Sequence, residues 1–251
     1  MGNVKRILIL ILCVMLYCTY SSICYAGDVE DAEQARQKGD YKKAFELSLK
    51  AAKKGKAKDQ YYVGLLYAEG KGVSKDYKEA AKWFKLAAKQ GDANAQSMLG
   101  LLYVKGEGVT KDFKEAIKWF KLAAKQGHAK AQSILGKMYY IGEGVTKDYK
   151  EAAKWFKLAA KQEDVSAQIG LAYMFANGMG VPQDYKEAVN WYTMAVKQNN
   201  SGAKCNLAEM YAAGLGVLKD YAKAKRLARE GYEAGEEYCK KVWEKYDLAK
   251  H

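Results

Sequence analysis

Asp76, Asp112, Asp148, Asp184 and Asp220 stand 36 residues apart, and each opens a version of the same phrase. The reference copy is DFKEAIKWFKLAAKQ, from Asp112 to Gln126. DYKEAAKWFKLAAKQ precedes it from Asp76 and returns from Asp148, DYKEAVNWYTMAVKQ follows from Asp184, and a worn DYAKAKRLAREGYEA closes the series from Asp220. A fixed period of this length constrains the fold more than any composition: each copy is one supersecondary unit that cannot bury its apolar face alone, so neighbours must stack. The 251 residues therefore read as one elongated array.

Within a copy, Ala95, Leu99, Leu102 and Tyr103 fall on one arc at about 100° per residue, the signature of an amphipathic helix. First helices are predicted near residues 57–69, 93–105, 129–141, 165–177 and 201–213. Beside the arc stand Gly64, Gly100, Gly136, Ala172 and Ala208, small enough to let a neighbouring helix approach. Each first helix runs into a glycine pair, such as Gly106 and Gly108, which suits a left-handed cap followed by a tight return. Val73, Val109, Val145, Val181 and Val217 come next and are expected to pin the loop to the core. The aspartates then serve as N-caps, with Glu79, Glu115, Glu151 and Glu187 three residues on completing capping boxes. In the second helix Tyr77, Ala80, Ala81, Phe84, Ala87 and Ala88 cover one face, and the recurring Trp83, Trp119, Trp155 and Trp191 sit at its margin, filling space between hairpins.

The assembled pattern, A-x3-L-G-x2-Y-x2-G-x-G-V-x2-D-x3-A-x2-W-x3-A from Ala95 to Ala123, resembles the Sel-one-like repeat, a longer relative of the tetratricopeptide repeat. The resemblance implies an all-α, right-handed α/α superhelical solenoid of 36-residue helix-turn-helix repeats, with first helices on the concave face. It also implies adaptor or scaffold work among secreted and envelope proteins. Residues 27–56 read as a half-degenerate helical hairpin, 57–235 as five repeats and 236–251 as a closing helix. Ala172 and Ala208, Glu163 and Asn199 (for Gly91 and Gly127) and Leu227 (for tryptophan) depart from the pattern and suggest loosening toward the C-terminus.

Residues 1–26 read as a signal peptide: Lys5 and Arg6, then the apolar run Ile7 to Tyr17, then small residues before a cut after Ala26. Export to the periplasm or beyond is expected. Tyr17 and Ile23 before Cys18 and Cys24 argue against lipid attachment. Processing removes Lys5 and Arg6 from 42 basic residues and none of 29 acidic ones, so the net charge of +13 becomes +11. Cys205 and Cys239 are then the remaining cysteines. A bridge between them stays open. Cys205, however, aligns with Ser97 and Ser133 on an apparently outward arc, and Cys239 with the inward Ala95, Ala131 and Ala167, so two separate thiols are expected.

Comparing repeats separates what the fold fixes from what it leaves free. One variable first-helix position holds Leu65, Leu101, Lys137, Tyr173 and Glu209; another holds Tyr61, Ser97, Ser133, Ile169 and Cys205; a third holds Ala68, Val104, Tyr140, Ala176 and Ala212. In the geometry implied by the resemblance they line a groove of mixed apolar, aromatic and charged character. Its candidate partner-binding residues are Tyr61, Leu65, Leu101, Val104, Lys137, Tyr140, Tyr173, Asn177 and Glu209, suited to a protein segment from an envelope scaffold's partner or a cognate toxin. On the second helices Lys78, Lys82 and Lys85, Lys114, Lys118 and Lys121, and Lys150, Lys154 and Lys157 form outer stripes, a candidate convex field for an anionic envelope surface or a plain solubility device.

No enzyme is expected. His128 and His251 are the sole histidines, too few for a triad or zinc cluster, so no metal or cofactor is assigned. Some cysteine-rich relatives bind or cleave β-lactams. Ser201 and Lys204 match S-x-x-K, but the accompanying S-D-N and K-T-G elements are absent. Four arginines and no interleaved aromatic platform argue against nucleic acid. A monomer is expected.

Overall fold

The computed structural model describes residues 30–250; the expected signal peptide lies outside them. Two compact units emerge, one ending at Trp119 and one beginning at Phe120. Among the described residues every regular element is a helix: α1 (residues 30–37), α2 (Tyr41–Ala52), α3 (Ala57–Glu69), α4 (Tyr77–Lys89), α5 (Ala93–Lys105), α6 (Phe113–Lys125), α7 (Ala129–Ile141), α8 (Tyr149–Ala160), α9 (Val165–Asn177), α10 (Tyr185–Lys197), α11 (Ser201–Ala213), α12 (Tyr221–Glu233) and α13 (Glu237–Lys245). The first helices take the bounds that the periodicity predicts.

In the N-terminal unit, α4 packs Ala80, Phe84, Ala87 and Ala88 against Ala95, Leu99 and Leu102 of α5. Phe84 is wholly buried, and a Cβ placed on Gly64 would lie 2.6 Å from its ring. Glycine at 64 is therefore the condition for the aromatic knob that fills the hairpin. Burying such a side chain contributes about 1.5–3 kcal/mol.

Both members of the glycine pair are required, for different reasons. Gly106 ends α5 at φ 73°, its N–H bonded to the Leu102 carbonyl, a left-handed cap. Gly108 also has positive φ, and a Cβ there would lie 2.1 Å from the carbonyl oxygen of Tyr77. The second glycine thus serves close approach to the preceding repeat's second helix as well as a tight return.

The aspartates cap as expected, but the capping box is half formed. Asp76 accepts from the N–H groups of Lys78 (2.8 Å) and Glu79 (3.0 Å), while its own N–H donates to the Tyr67 carbonyl at 3.0 Å. That donor is already satisfied, so Glu79 turns outward and pairs with Lys82; Glu115 with Lys118 and Glu151 with Lys154 repeat the arrangement.

Two core clusters of the C-terminal unit are linked. Ala152, Phe156, Leu171 and Met174 form one, and Tyr192, Leu207, Met210, Val242 and Leu248 belong to the other. Trp191 packs against both, the space-filling role expected of the recurring tryptophans. The closing helix is shorter than residues 236–250. It stops at Lys245 because Asp247 takes φ 50°, which turns Leu248 back into the core, fully buried.

The expected loosening at Glu163 and Asn199 does not occur. Their φ values of 65° and 60° keep the left-handed turn that Gly91 and Gly127 make at 95° and 86°.

The expectation of two separate thiols is also corrected. Cys205 and Cys239 form a disulfide with Cα atoms 4.7 Å apart, joining α11 to α13. The facing argument fails because the supposed outward position is interior: Ser97, Ser133 and Cys205 are all buried. Room for the sulfurs comes from Gly231 on α12, where a Cβ would lie 2.2 Å from the Cys239 Sγ. The other repeats place Ala87, Ala123, Ala159 and Ala195 there, each fully buried.

Candidate binding groove

Sequence reasoning passed over a second internal series, Gln60, Gln96, Gln132 and Gln168, also spaced by 36. All four are buried, and their amides donate to the carbonyls of Ala52, Ala88, Ala124 and Ala160, adding a second donor at helix ends where the N–H groups of Gly55, Gly91, Gly127 and Glu163 already bond. Gln90, Gln162 and Gln198 in turn donate to Gln60, Gln132 and Gln168. The recurrence itself was the signal. In the fifth repeat the slot belongs to Lys204, which pairs with Glu230 at 2.9 Å, while Ser201 donates to Glu236 at 3.0 Å. The two residues of the S-x-x-K match are thus engaged with different carboxylates.

The candidate partner residues divide between the units. In the N-terminal unit Tyr61, Leu65, Leu101 and Val104 are half-buried; Tyr61 stacks obliquely on Phe84, ring centroids 5.9 Å apart, and Leu65 packs on the same core. Tyr61 and Leu65 therefore serve packing. The C-terminal unit brings Tyr140 and Tyr173 together edge to face at 6.4 Å. Tyr173 is 41% exposed, and Lys137, one helical turn before Tyr140, is exposed too.

Beside this pair lies a cavity of about 280 Å³ lined by Tyr140, Phe156, Ile169, Gly170, Tyr173, Tyr192 and Asn206. A second, of about 260 Å³, shares Tyr173, Tyr192 and Asn206 and adds Asn177, Glu209 and Tyr238. Side chains from α7, α9 and α11 therefore line a continuous aromatic trough floored by α8 and α10.

At its far end Glu209 fastens the closing helix. Its carboxylate accepts from Lys245 Nζ at 2.6 Å, from the Tyr246 hydroxyl at 3.4 Å and from the Tyr238 hydroxyl. Burial pushes the Glu209 carboxyl up, but the hydrogen bonds from Lys245 and Tyr238 outweigh it and leave the pKa below the ordinary range. Burial first, then the bond to Glu209, raises the Tyr238 phenol to about 12, so it remains a donor at neutral pH. Glu209 is thus committed to holding α13 against α11.

Residues 31–56, 57–92, 93–128, 129–164, 165–200 and 201–236 each match the family model described as Sel1 repeat. The chain belongs to the Sel1 repeat family. Its fold is accordingly an all-α repeat solenoid, a scaffold whose members commonly engage other proteins. Among solved structures, the Sel1 chain is 34% identical to c5321, a protective antigen of uropathogenic Escherichia coli strains displaying an SLR fold, with a TM-score of 0.83. That match covers 90% of this chain and 49% of the antigen, so the Sel1 chain spans about half of that relative's length. A Sel1 repeat protein from Oxalobacter formigenes is 33% identical at a TM-score of 0.79, covering 86% of both chains. No curated protein sequence matches the chain.

The outer lysines of these Sel1 repeats carry less free charge than the stripes suggested. Lys82, Lys118 and Lys154 are spoken for by Glu79, Glu115 and Glu151, and Lys121 is half-buried with its ammonium 5.6 Å from the Tyr139 ring. Lys78, Lys85, Lys114, Lys150 and Lys157 are exposed.

Proposed function

We propose that this protein is an exported, non-enzymatic scaffold that holds a segment of a partner protein in the trough of its C-terminal unit. The observation that carries the reading is the open cavity bounded by Tyr140, Tyr173 and Tyr192, where Tyr173 is exposed and Tyr140 and Tyr192 anchor the wall in the core behind it. Tyrosine supplies large, rigid contact area with a polar tip, the character of interface anchors. The buried cystine favours an oxidising compartment, in keeping with the leader-like residues 1–26. The separate engagements of Ser201 and Lys204 favour a scaffold over a β-lactam enzyme.

The test is site-specific photo-crosslinking in envelope-bearing cells, with the photoreactive residue placed at 137 or 173 in one arm and at 154, on the outer face, in the other. A defined protein adduct from 137 and 173, absent from 154, is expected. Adducts from 154 alone would move the function off the trough.

A second reading is favoured by one observation: Leu122, Leu158 and Met194, at equivalent positions of the C-terminal unit, are each about half exposed beside the outer lysines. Apolar side chains among cations suit an anionic lipid surface. Co-sedimentation with anionic vesicles, abolished by about 0.5 M salt, would support it, since screening at that strength is strong.

A further inference from the structure

Comparison of successive repeats at one first-helix position singles out the mouth of the trough. Tyr62, Met98 and Ile134 fill it in the earlier repeats, and Asn206 in the last, whereas the fourth repeat has Gly170. The missing side chain uncovers what lies beneath. Phe156 is 6% exposed, while its equivalents Phe84 and Phe120 are at 0%. A Cβ on Gly170 would lie 3.0 Å from two atoms of the Phe156 ring, tighter than an ordinary contact, so glycine lets that ring stand against the α9 backbone as a wall of the cavity. Gly170 lies inside α9, where glycine costs about 1 kcal/mol relative to alanine; no positive φ or helix end calls for it, and the close approach of Phe156 is the demand it meets.

The surroundings specify what would fill the gap. The walls are Ile169, Tyr140, Tyr173 and Tyr192, a setting for an apolar side chain rather than a charged one. On α7, Lys137 is exposed one helical turn before the Tyr140 wall. On α11, Glu209 is neutralised by Lys245 and presents no net repulsion to an anion. Beyond residues 1–26, which hold Lys5 and Arg6 and no acidic residue, the chain's +13 becomes +11. Lys137, Tyr173 and Glu209 occupy one equivalent position in successive repeats, so the polarity runs along the trough from a free cation through an aromatic to a closed ion pair.

We infer that Gly170 creates an anchor subsite that takes one apolar side chain of an extended partner segment, with a neighbouring carboxylate of that segment set against Lys137. This rests on the reading of the trough as a protein-binding surface and adds its anchor chemistry. Gly170 is then a specificity-determining residue: the same backbone with methionine or isoleucine there, as in the earlier repeats, has no subsite.

Two small probes separate the two halves of the inference. N-acetyl-leucine carries the side chain and the carboxylate; N-acetyl-leucinamide carries the side chain alone. Titrated into the disulfide-bonded chain and followed by amide and methyl NMR, both are expected to shift Ile169, Gly170, Tyr173 and Asn206. The carboxylate form should bind about two- to five-fold more tightly in dilute salt, the scale of one exposed ion pair. Gly170→Ile should abolish the shifts of both probes, with Gly170→Met as the second filling variant should the first perturb resonances beyond α9. Lys137→Gln, an exposed change, should leave amide binding intact and remove the preference for the carboxylate. Shifts that persist in the filled variants, that appear equally around Tyr61 and Leu65, or that show no carboxylate preference would overturn the inference. A crosslinked partner at 137 and 173 combined with such a result would leave protein capture standing and remove the subsite alone.

Discussion

In the N-terminal unit the turns after α2 and α4 reach positive φ with Gly55 and Gly91; in the C-terminal unit the turns after α8 and α10 reach it with Glu163 and Asn199. The backbone is the same; Gly127 and Gly235 keep glycine at the other such turns of the C-terminal unit, and Glu163 is the residue least suited to it. The same contrast recurs elsewhere. Gln60 and Gln96 occupy the helix-end slot in one unit, while Lys204 has displaced glutamine in the last repeat of the other. Buried alanine stands at 87, and glycine at 231. These amendments gather around features the N-terminal unit lacks among its described residues: the cystine, the Glu209 clamp and the uncovered Phe156. Departures from a repeat are therefore informative when they cluster, because each removes a local preference that something nearby must replace.

The contrast can be broken in steps. The largest effect should come where the repeat rule is strictest: Phe84→Ala, which empties the seat under Gly64, should cost about 3–5 kcal/mol, read as earlier urea unfolding of the N-terminal unit. Next, Cys205→Ala with Cys239→Ala should cost the C-terminal unit about 3–4 kcal/mol, the scale for releasing a loop of this length. Amide exchange should rise in α11 to α13 and stay unchanged in α3 to α5; uniform loss would show that the bridge does not act locally. Glu163→Gly should stabilise by about 0.5–1 kcal/mol, because a non-glycine residue in the left-handed region carries roughly 1–2 kcal/mol of strain, against which glycine loses some entropy. The same change at Asn199 should gain less, since asparagine tolerates that region.

The smallest effect separates the units by sign. Burial raises the Asp59 pKa above the ordinary 3.8 in the N-terminal unit, while the hydrogen bonds of Lys245 and Tyr238 lower Glu209 below the ordinary 4.5 despite its burial. A depressed carboxyl contributes stability above its unfolded pKa and loses it as pH falls through the folded value. A raised one contributes below its unfolded pKa and loses it as pH rises through the folded value. Acidification from about pH 5 to 3 should thus loosen α13 while slightly firming α3. Glu209→Gln should flatten the first response, and Asp59→Asn the second; matching acid responses in both units would contradict the assignment.

Much of this was legible because the period was strict. The helix bounds, the aspartate caps and the glycine pair follow from local chemistry repeated without interference. The glutamine slot was equally periodic and was missed, since a polar residue next to a core alanine reads as solvent-facing until its helix-end acceptor is known. The disulfide was misread by transferring a facing from Ser97 and Ser133 that those serines do not have, although Gly231 in an alanine position marked the spot. Gly170 departs from Tyr62, Met98 and Ile134 without breaking any motif of the repeat. Its meaning required knowing which aromatic lay beneath it.

The turn at Asp247 that folds Leu248 beneath α13 gives the array a direction of growth. A duplicated 36-residue cassette inserted ahead of Ser201 would meet seats of the same kind as those it left. One appended after Glu236 would find its berth already taken by Val242, Leu248 and a crosslinked helix. A tandem copy placed before the cystine therefore leaves the tail seated, whereas one placed directly after Glu236 has to displace it.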